Sequence, residues 1–245
     1  MAPTRIVSLV PSLTELLFAL GAGASVVGRT RFCAEPPEAA RVPIVGGTKN
    51  PNVARIVALQ PDLVIANKEE NRREDVDELR SAGLDVLVTD PNSVDEALAM
   101  ITGIGALLGR PDAAGVIVAD VHAALAEPSH GGQPRVFVAV WKQPLLGLGC
   151  ASYGHDLLER VGAVNVLGGR ARYPEVTAAE LVALNPSLIL LPDEPYAFKD
   201  GDVAEYGQIA PARIIDGRLL WWYGPRIPDA VRALRAILAE GRHSP

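Results

Sequence analysis

Cysteine is scarce in this chain of 245 residues, which carries only Cys33 and Cys150. Neither belongs to a CxxC pair or stands at zinc-ligand spacing from a histidine, so the pattern predicts neither a structural zinc site nor a disulfide framework. Because disulfides are rare inside cells, two free thiols fit this pair better than one structural disulfide, which remains the alternative.

Positive charge is also in short supply, with 23 lysines and arginines against 29 aspartates and glutamates and a formal net charge of −6. This balance offers no broad basic surface, which argues against nucleic acid as a partner. No segment approaches the roughly 20 consecutive apolar residues that span a bilayer, so we expect no insertion into a membrane.

An export signal is not apparent at the start of the sequence. Residues 1–5 lead directly into a short apolar run, without a basic region, an apolar stretch of signal length or a small-residue cleavage site. As written, the chain is expected in the cytoplasm. The alternative is a periplasmic or extracellular lipoprotein from which the leader has been trimmed.

The usual sequence signatures of catalysis are missing. There is no Walker loop and no G-x-S-x-G elbow. The glycines at 21–26 lack the third glycine of a dinucleotide fingerprint and follow a predicted helix, which is the wrong context. Cys150 and His155 are five residues apart, and a thiol–imidazole dyad is much less favoured than two structural side chains. We therefore predict no catalytic residues and a protein that is not an enzyme.

A direct metal site finds little support. The nearest approach to a ligand set is His155 with Asp156, joined by Asp193 or Glu194. First-row metals usually recruit several such side chains together, so we predict no metal-ligating residues. An organic chelate is favoured over a bare ion as the ligand.

What the sequence does contain is an internal repeat. Segments 5–7, 15–21 and 56–65 align, in the same order, with segments 135–137, 156–162 and 181–190. The last pair is the clearest: an amphipathic helix ends at Pro61 or Pro186, and an apolar strand follows. A continuously apolar strand is typical of a parallel sheet that helices cover on both faces.

The repeat predicts an α/β fold with two Rossmann-like lobes, mainly parallel sheets and a bridging α-helix. We place an N-terminal lobe at 1–92, a helical bridge and connector at 93–133, and a C-terminal lobe at 134–245. The bridge is expected as two helices broken at 109–111, where Gly-Arg-Pro interrupts the pattern.

Helix ends are marked by capping residues. Three capping boxes are predicted, at Ser12 with Glu15, Ser93 with Glu96 and Thr177 with Glu180. Glycines in a left-handed conformation are predicted just beyond three helices, at Gly21, Gly83 and Gly162.

Several motifs resemble those of the substrate-binding proteins that bring cobalamin and iron-siderophores to ABC importers. The stretch 7–16 resembles the opening S-x-x-P-S-x-T-E-x-L of that family, and 55–65, 162–166 and 176–181 resemble further elements. The resemblance covers most of the chain. It implies two lobes bridged by a long helix, a small ligand held in the cleft between them, and delivery to an ABC permease. The chain departs from the pattern at Thr48 and Asn67, where cobalamin binders carry aromatics, and at Arg73, near an expected acid.

Ligands of open α/β sheets bind beyond the carboxyl ends of the strands, which selects certain loops of the first lobe. One loop leads into a helix start, one carries two arginines and an aromatic ring, and one is a glycine-containing turn. The predicted ligand-binding residues there are Pro11, Ser12, Arg29, Arg31, Phe32, Thr48 and Lys49. Helix capping and solvated surface are the alternatives.

The second lobe offers most of the aromatic rings, which together with arginine supply much of the energy of binding clefts. Its predicted ligand-binding residues are Trp141, Tyr173, Trp222, Tyr223 and Arg226. If 221–223 form a strand, Trp221 and Tyr223 point to one face and Trp222 to the other. Rim or core packing is the alternative for each ring, and Asp193 is more readily explained as a turn cap.

Together these features favour a protein that binds a corrinoid, a haem-like molecule or a ferric siderophore, without a covalent cofactor. Two alternatives stay open on the same fold. One is a cytoplasmic chelatase-like tetrapyrrole enzyme that uses His155 and Glu194, and the other is a cytoplasmic sensor or storage protein that has no transporter.

Overall fold

The computed structural model describes residues 2–128 and 132–240, so positions 129–131 of the predicted connector lie outside the described residues. The strands are β1 Ile6–Ser8, β2 Val26–Arg29, β3 Leu63–Asn67, β4 Val86–Thr89, β5 Arg135–Trp141, β6 Leu146–Gly147, β7 Val164–Asn165, β8 Leu188–Pro192 and β9 Ala212–Ile215. The helices are α1 Pro11–Ala19, α2 Val53–Ala58, α3 Arg73–Ser81, α4 Val94–Leu107, α5 Pro111–Ala126, α6 Tyr153–Arg160, α7 Ala178–Leu184, α8 Asp200–Tyr206, α9 Arg218–Trp221 and α10 Ile227–Glu240.

The chain forms two compact units, each with its own sheet. The first unit comprises the chain up to Pro91, Ala97–Ala119 and Tyr223–Pro225, and the second comprises Asn92–Glu96, Asp120–Trp222 and the chain from Arg226 onward. Boundaries between the units fall within α4, after Glu96, and within α5, after Ala119. At the predicted break over 109–111, α4 has ended at Leu107 and α5 begins at Pro111. The lobe boundaries drawn at 92 and 133 stay a prediction.

The sheet of the first unit has strand order β2-β1-β3-β4 and is parallel throughout. In the second unit the order is β6-β5-β8-β9, and β7 also pairs with β5. All these pairs are parallel except the short hairpin of β5 with β6. The prediction of an α/β fold with mainly parallel sheets is confirmed.

The apolar strands bury both faces, as their composition predicts. In the first unit, a core cluster is built around Val7, Leu9, Val64 and Ile56, and the helix α3 packs Leu79 onto it. In the second unit, the corresponding cluster includes Phe137, Ile189, Leu191, Leu181, Phe198 and Tyr206. Burial of apolar area on this scale is the main favourable term in folding.

One hydrogen bond between an arginine and a helix C-terminus occurs at equivalent positions of the two repeats. Arg5 donates to the Leu59 carbonyl oxygen at 2.6 Å, where α2 ends. Arg135 lies 130 residues later and donates to the Leu184 carbonyl oxygen at 2.7 Å, where α7 ends. Each guanidinium therefore satisfies carbonyl groups that a helix C-terminus leaves without intrahelical partners.

The residue that follows each of these helix ends is left-handed. Gln60 and Asn185 occupy equivalent positions in the repeat, and both have φ of 47°. The chain turns there before Pro61 or Pro186, as the predicted proline stop requires. The local backbone of the two units is thus the same at this junction, which supports duplication.

One predicted capping box is confirmed and one is wrong. Thr177 accepts the amide of Glu180 at 3.2 Å, and the Glu180 carboxylate accepts the Thr177 amide at 2.8 Å. The box at Ser12 does not form, because α1 begins at Pro11, two residues before the start that a Ser12 cap requires, with Val10 as its N-cap and no side-chain cap. Proline is well suited to a first helical position, since its missing N–H has no partner there in any case.

Other helix-end signals have clear outcomes. Ser93 accepts the Glu96 amide at 3.1 Å, as a helix cap does, and the Glu96 carboxylate accepts the amide of Asn92 at 2.7 Å. The glycines predicted to be left-handed are confirmed, with φ of 73°, 83° and 95° at Gly21, Gly83 and Gly162.

Candidate functional site

The strand-end edge of the first unit is built on buried amides and hydroxyls. Asn67, the last residue of β3, donates to the Thr89 carbonyl oxygen at 2.9 Å and accepts the Glu70 amide at 3.2 Å. Asn71 donates to the Thr48 carbonyl oxygen at 2.9 Å. Because buried polar groups are costly unless paired, this network holds the loops in one conformation. It also explains why Asn67 is not an aromatic: its side chain is structural.

Beside this network lie Lys49 and Glu70. The Lys49 ammonium donates to the Glu69 carbonyl oxygen at 2.5 Å. Burial raises the pKa of the half-buried Glu70 carboxyl, and the charge of Lys49 opposes that rise. Phe32 is 57% exposed. Its ring lies over Gly47, where an added Cβ would stand 3.4 Å from the ring, so this glycine is already covered by the protein.

Pro11 and Ser12 open α1 just beyond β1. Ser12 is buried, with 4% of its surface exposed, and Pro11 is half-buried. The nearby Thr14 hydroxyl donates to the Ser8 hydroxyl at 2.8 Å and is itself buried. The first turn of α1 is therefore packed into the unit, and a ligand contact at Ser12 stays a prediction.

Arg29, the last residue of β2, and Arg31, just beyond it, have different environments. Arg29 is 6% exposed and donates to the carbonyl oxygens of Ala39 at 2.6 Å, Thr30 at 3.0 Å and Ala40 at 3.3 Å. It therefore pins the neighbouring chain segment, a structural role that the loop composition did not reveal. Arg31, two residues along, is exposed and is the more suitable of the two for contact with a ligand.

Both cysteines are free thiols, as expected. Cys33 is fully buried, and its sulfur lies 3.1 Å from the Thr30 hydroxyl. Burial raises the pKa of the Cys33 thiol above its ordinary value, since a thiolate is poorly solvated there. Cys33 is consequently a structural thiol and not a reactive group.

The strand-end edge of the second unit gathers tryptophan, arginine and glutamate. The Trp222 indole N–H donates to the Glu194 carboxylate at 3.0 Å, and the Trp221 indole N–H donates to the Glu194 carbonyl oxygen at 2.7 Å. The guanidinium of Arg226 lies 5.2 Å from the centre of the Trp222 ring, and that of Arg218 lies 5.9 Å from it. Both distances are within the range of cation–π attraction.

The arginine nearest the end of β9 is held by a carboxylate. Arg218 donates to Asp216 through two nitrogens, at 2.7 and 2.9 Å. Burial alone would raise the pKa of Asp216, but the hydrogen bonds from Arg218 outweigh it and keep that pKa below its usual value. Asp193 accepts the Gly217 amide at 2.8 Å. These bonds tie the loops after β8 and β9 together around Trp222.

A second aromatic group stands at the end of β5. Trp141 is 41% exposed, and its ring meets that of Tyr196 edge-on, with centroids 5.3 Å apart. Tyr196 in turn contacts Phe198 at 4.7 Å. The adjacent Lys142 ammonium is bonded to two carboxylates of α8. An exposed tryptophan held by ordered neighbours is a suitable surface for a flat ligand.

Two other predicted aromatic contacts are less open. Tyr173 is half-buried in a loop whose Ala171 forms a β-bridge with Cys150. Tyr223 is 6% exposed and belongs to the first unit, whereas Trp222 belongs to the second. The expected strand over 221–223 is wrong, because α9 occupies Arg218–Trp221 and the chain continues without strand pairing. Alternating faces therefore do not decide which ring is exposed.

The residues considered for catalysis or metal binding have structural partners. His155 Nδ1 lies 3.0 Å from the Asn165 amide nitrogen. Asp156 accepts the Val94 amide at 2.7 Å and the Arg160 guanidinium at 2.8 Å. Within 2–128 and 132–240, no group of three or more His, Cys, Asp or Glu side chains is placed to hold a metal ion.

Sequence reasoning missed three residues that organise the second edge, namely Arg218, Lys142 and Tyr196, and gave a fourth, Glu194, only other roles, as a possible metal ligand or an acid/base partner of His155. In the structure the Glu194 carboxylate accepts the Trp222 indole N–H, and its carbonyl oxygen accepts that of Trp221. The available signal was position: all four follow the ends of strands β5, β8 and β9, where parallel sheets place their ligands.

Comparison with known proteins gives a consistent family assignment. The family model described as "Periplasmic binding protein" matches residues 6–204. A vitamin B12-binding protein of Salmonella choleraesuis is 31% identical over 250 residues, covering 98% of this chain and 91% of that protein. An uncharacterised ABC transporter substrate-binding lipoprotein of Bacillus subtilis is 30% identical, covering 95% of this chain and 79% of that protein.

Solved structures share the fold. The periplasmic vitamin B12-binding protein of Vibrio cholerae matches with a TM-score of 0.84 at 21% identity, covering 99% of each chain. A periplasmic haem-binding protein from Pseudomonas aeruginosa matches with a TM-score of 0.82 at 26% identity, covering 96% of this chain and 92% of that one. No helix among the described residues is long and apolar enough to cross a bilayer. The resemblance of the motifs is thus confirmed over most of the sequence, and this chain belongs to the periplasmic binding protein family.

Proposed function

We propose that this protein binds a corrinoid, a haem or a ferric siderophore and hands it to an ABC importer, without catalysing a reaction on it. The observation that carries the proposal is the half-buried Trp222, flanked by Arg218 and Arg226 at the strand-end edge of the second unit. A large aromatic face with adjacent guanidinium groups suits a planar chelate that bears carboxylate or amide side groups.

The relatives support a binding role over an enzymatic one. Those compared above are named for binding vitamin B12 or haem, or as a substrate-binding lipoprotein of an ABC transporter. The chelatase alternative required His155 and Glu194 as an acid/base pair. His155 Nδ1 lies 3.0 Å from the Asn165 amide nitrogen, and the Glu194 carboxylate accepts the Trp222 indole N–H, so each side chain has a structural partner.

The relatives also favour a location outside the cytoplasm, because they are described as periplasmic proteins or lipoproteins. We therefore prefer that location to the cytoplasmic one expected from the start of the sequence. Loss of uptake of the bound chelate in cells that lack this protein tests the transport part of the proposal.

The proposed contacts are those whose side chains the structure leaves accessible. Arg31, Phe32 and Lys49 of the first unit and Trp141 of the second are exposed, whereas Trp222, Arg226 and Tyr173 of the second unit are half-buried. Arg29, Ser12, Thr48 and Tyr223 are buried and would act by supporting the loops.

Titration with cyanocobalamin, haemin and a ferric hydroxamate siderophore tests the proposal. We expect saturable one-to-one binding of at least one of them by calorimetry, with quenching of tryptophan fluorescence because the chelate stacks near an indole. Free ferric and cobalt ions serve as controls and are expected not to bind. Absence of saturable binding by all three chelates would refute the proposed ligand class.

A further inference from the structure

Trp141 is the last residue of strand β5 and lies in a short hairpin. It pairs with Leu146 of the two-residue strand β6, so the ring is carried by a short antiparallel hairpin. With 41% of its surface exposed, Trp141 is only partly packed. The residue pairs of β5 with β8 end at Val138, so Trp141 lies beyond the part of β5 that β8 supports, and the orientation of its ring depends on the hairpin and on the side chains around it.

Lys142, in the tip of that hairpin, supplies a restraint. Its ammonium group is hydrogen-bonded to Asp202 and, at 2.8 Å, to Glu205, both on α8. Only 22% of the Lys142 side chain and 11% of the Asp202 side chain are exposed. A pair this well shielded is less screened by solvent than a surface ion pair. The tip of the hairpin is therefore tied to α8.

The ring contacts and the ion pair converge on the same part of the second unit. Trp141 meets Tyr196, which contacts Phe198 in the segment leading into α8, and Phe198 packs against Tyr206 in that helix. The Asp202 carboxylate also accepts the Lys199 amide at 2.8 Å, which fixes the start of α8. A cavity of about 750 Å³ opens at this point. Its lining is formed by Lys142, Tyr196, Ala197, Lys199, Gly201 and Asp202.

We propose that Lys142 is a positioning residue, which latches the hairpin to α8 and so holds Trp141 edge-on to Tyr196 in the orientation that receives the ligand. This inference rests on the proposed binding function. Lys142 acts through Trp141 and need not touch the ligand. Loss of the ion pair between Lys142 and α8 frees the tip of the hairpin, and the Trp141 ring then samples orientations in which it does not contact the ligand.

The chain has three tryptophans, so 5-fluorotryptophan labelling gives three ¹⁹F signals that Trp→Phe variants assign. In the unliganded protein we expect Lys142→Met to shift or broaden the Trp141 signal while those of Trp221 and Trp222 keep their positions. We expect its dissociation constant for the chelate that binds the wild type to rise about 10-fold. Lys142→Arg, which keeps the charge, is expected to restore both readouts.

Because Lys142→Met removes the ammonium group that pairs with the buried Asp202 carboxylate, it also risks destabilising the unit. Glu205→Gln removes one of the two carboxylates that bind Lys142, the exposed one. We expect it to broaden the Trp141 signal and to lower the affinity for the chelate about threefold. Arg213→Met is the matched control, since it breaks a strand-to-helix ion pair of the same unit, with Glu240, and should change neither readout.

An unchanged Trp141 signal in folded Lys142→Met would overturn the latch. A displaced Trp141 signal with unchanged affinity would overturn its role in binding. If the wild type binds none of the chelates, the proposed function fails and with it the role in binding, whereas the latch itself is judged by the ¹⁹F spectra of the unliganded protein.

Discussion

Trp222 shows how much of the candidate site depends on single side chains. Its indole is held by a hydrogen bond to Glu194 and lies beneath the guanidinium groups of Arg218 and Arg226. Gly217 allows this arrangement, because a Cβ there would stand only 2.8 Å from the Glu194 carbonyl oxygen. A ring fixed in this way loses little conformational freedom when a ligand stacks on it.

We predict that Trp222→Leu weakens binding of the chelate about 10-fold or more, because an aromatic anchor and its arginine contacts are lost together. Trp222→Phe keeps an aromatic ring but loses the hydrogen bond to Glu194. Its affinity for the chelate should therefore lie between that of Trp222→Leu and that of the wild type. Calorimetric titration measures both. Equal affinity of Trp222→Leu and the wild type would remove Trp222 from the site.

At the scale of elements, the two copies of the helix–proline–strand unit offer an internal comparison. Gln60 and Asn185 share a left-handed conformation with φ of 47°. Asparagine tolerates this conformation better than most side chains, whereas glutamine has no special tolerance of it. The same backbone is therefore more strained at the end of α2 than at the end of α7.

We predict that Gln60→Gly raises the free energy of unfolding by about 0.5 kcal/mol, because relief of the left-handed strain exceeds the entropic cost of glycine. Asn185→Gly should change it by less, within about 0.5 kcal/mol. Urea unfolding followed by circular dichroism provides the measurement.

Glycine substitutions two residues earlier, inside the helices, provide the control for that pair. Ala58→Gly and Ala183→Gly occupy equivalent helical positions in α2 and α7, and each should lower the stability by about 0.5–1 kcal/mol. A destabilising Gln60→Gly would show that the glutamine is not strained in this turn.

At the scale of the whole molecule, several carboxyl groups have lowered pKa values. The causes are hydrogen bonds. Asp62 accepts them from Thr4 and Arg5, Glu180 accepts them from Thr177, and Asp202 accepts one from Lys142. Asp216 accepts them from Arg218, and there they outweigh the opposite effect of burial on the pKa. Each such group binds protons less readily in the folded state than in the unfolded chain. The stability they contribute is present above their ordinary pKa values and is lost as the pH falls through the lowered ones.

We predict that the free energy of unfolding falls steadily as the pH drops below about 4, with the loss spread over both units.

The contribution of Glu70 to the pH dependence of stability has the opposite sign, because burial raises its pKa and the folded state then favours the protonated form. Glu70→Gln should therefore match the wild type near pH 4 and exceed its stability near pH 7. Urea titrations across this range measure both effects, and a Glu70→Gln variant less stable than the wild type at pH 7 would contradict the assignment.

Much of the architecture was predictable because it is written in short-range patterns. The proline-stopped helices before β3 and β8, the left-handed glycines and the break at 109–111 each depend on neighbours a few residues apart. Such patterns act through local backbone sterics and hydrophobic period, which a single sequence displays directly. Repetition of the pattern then implied two sheets.

The details that failed depend on where a residue lies relative to distant parts of the chain. Ser12 looked like a helix cap, but α1 begins at Pro11 and buries the serine. Arg29, expected in a ligand-binding loop, ends β2 and is turned inward to the carbonyl oxygens of Ala39 and Ala40. Residues 218–221 form a helix, so the alternation considered for a strand over 221–223 does not apply. At Ser12 the preference of Pro11 for the first helical position prevailed, whereas in the other two cases tertiary packing overrode a weak local preference.

The sequence by itself determined the kind of fold and singled out the strand-end loops that we propose for ligand binding. Only the tertiary structure decided which side chains in those loops cooperate, since Glu194 meets Trp222 across 28 positions and Lys142 meets Asp202 across 60. The physical reason is that a hydrogen bond or ion pair depends on distance in space, while the periodic patterns of a sequence report only which face of an element is buried.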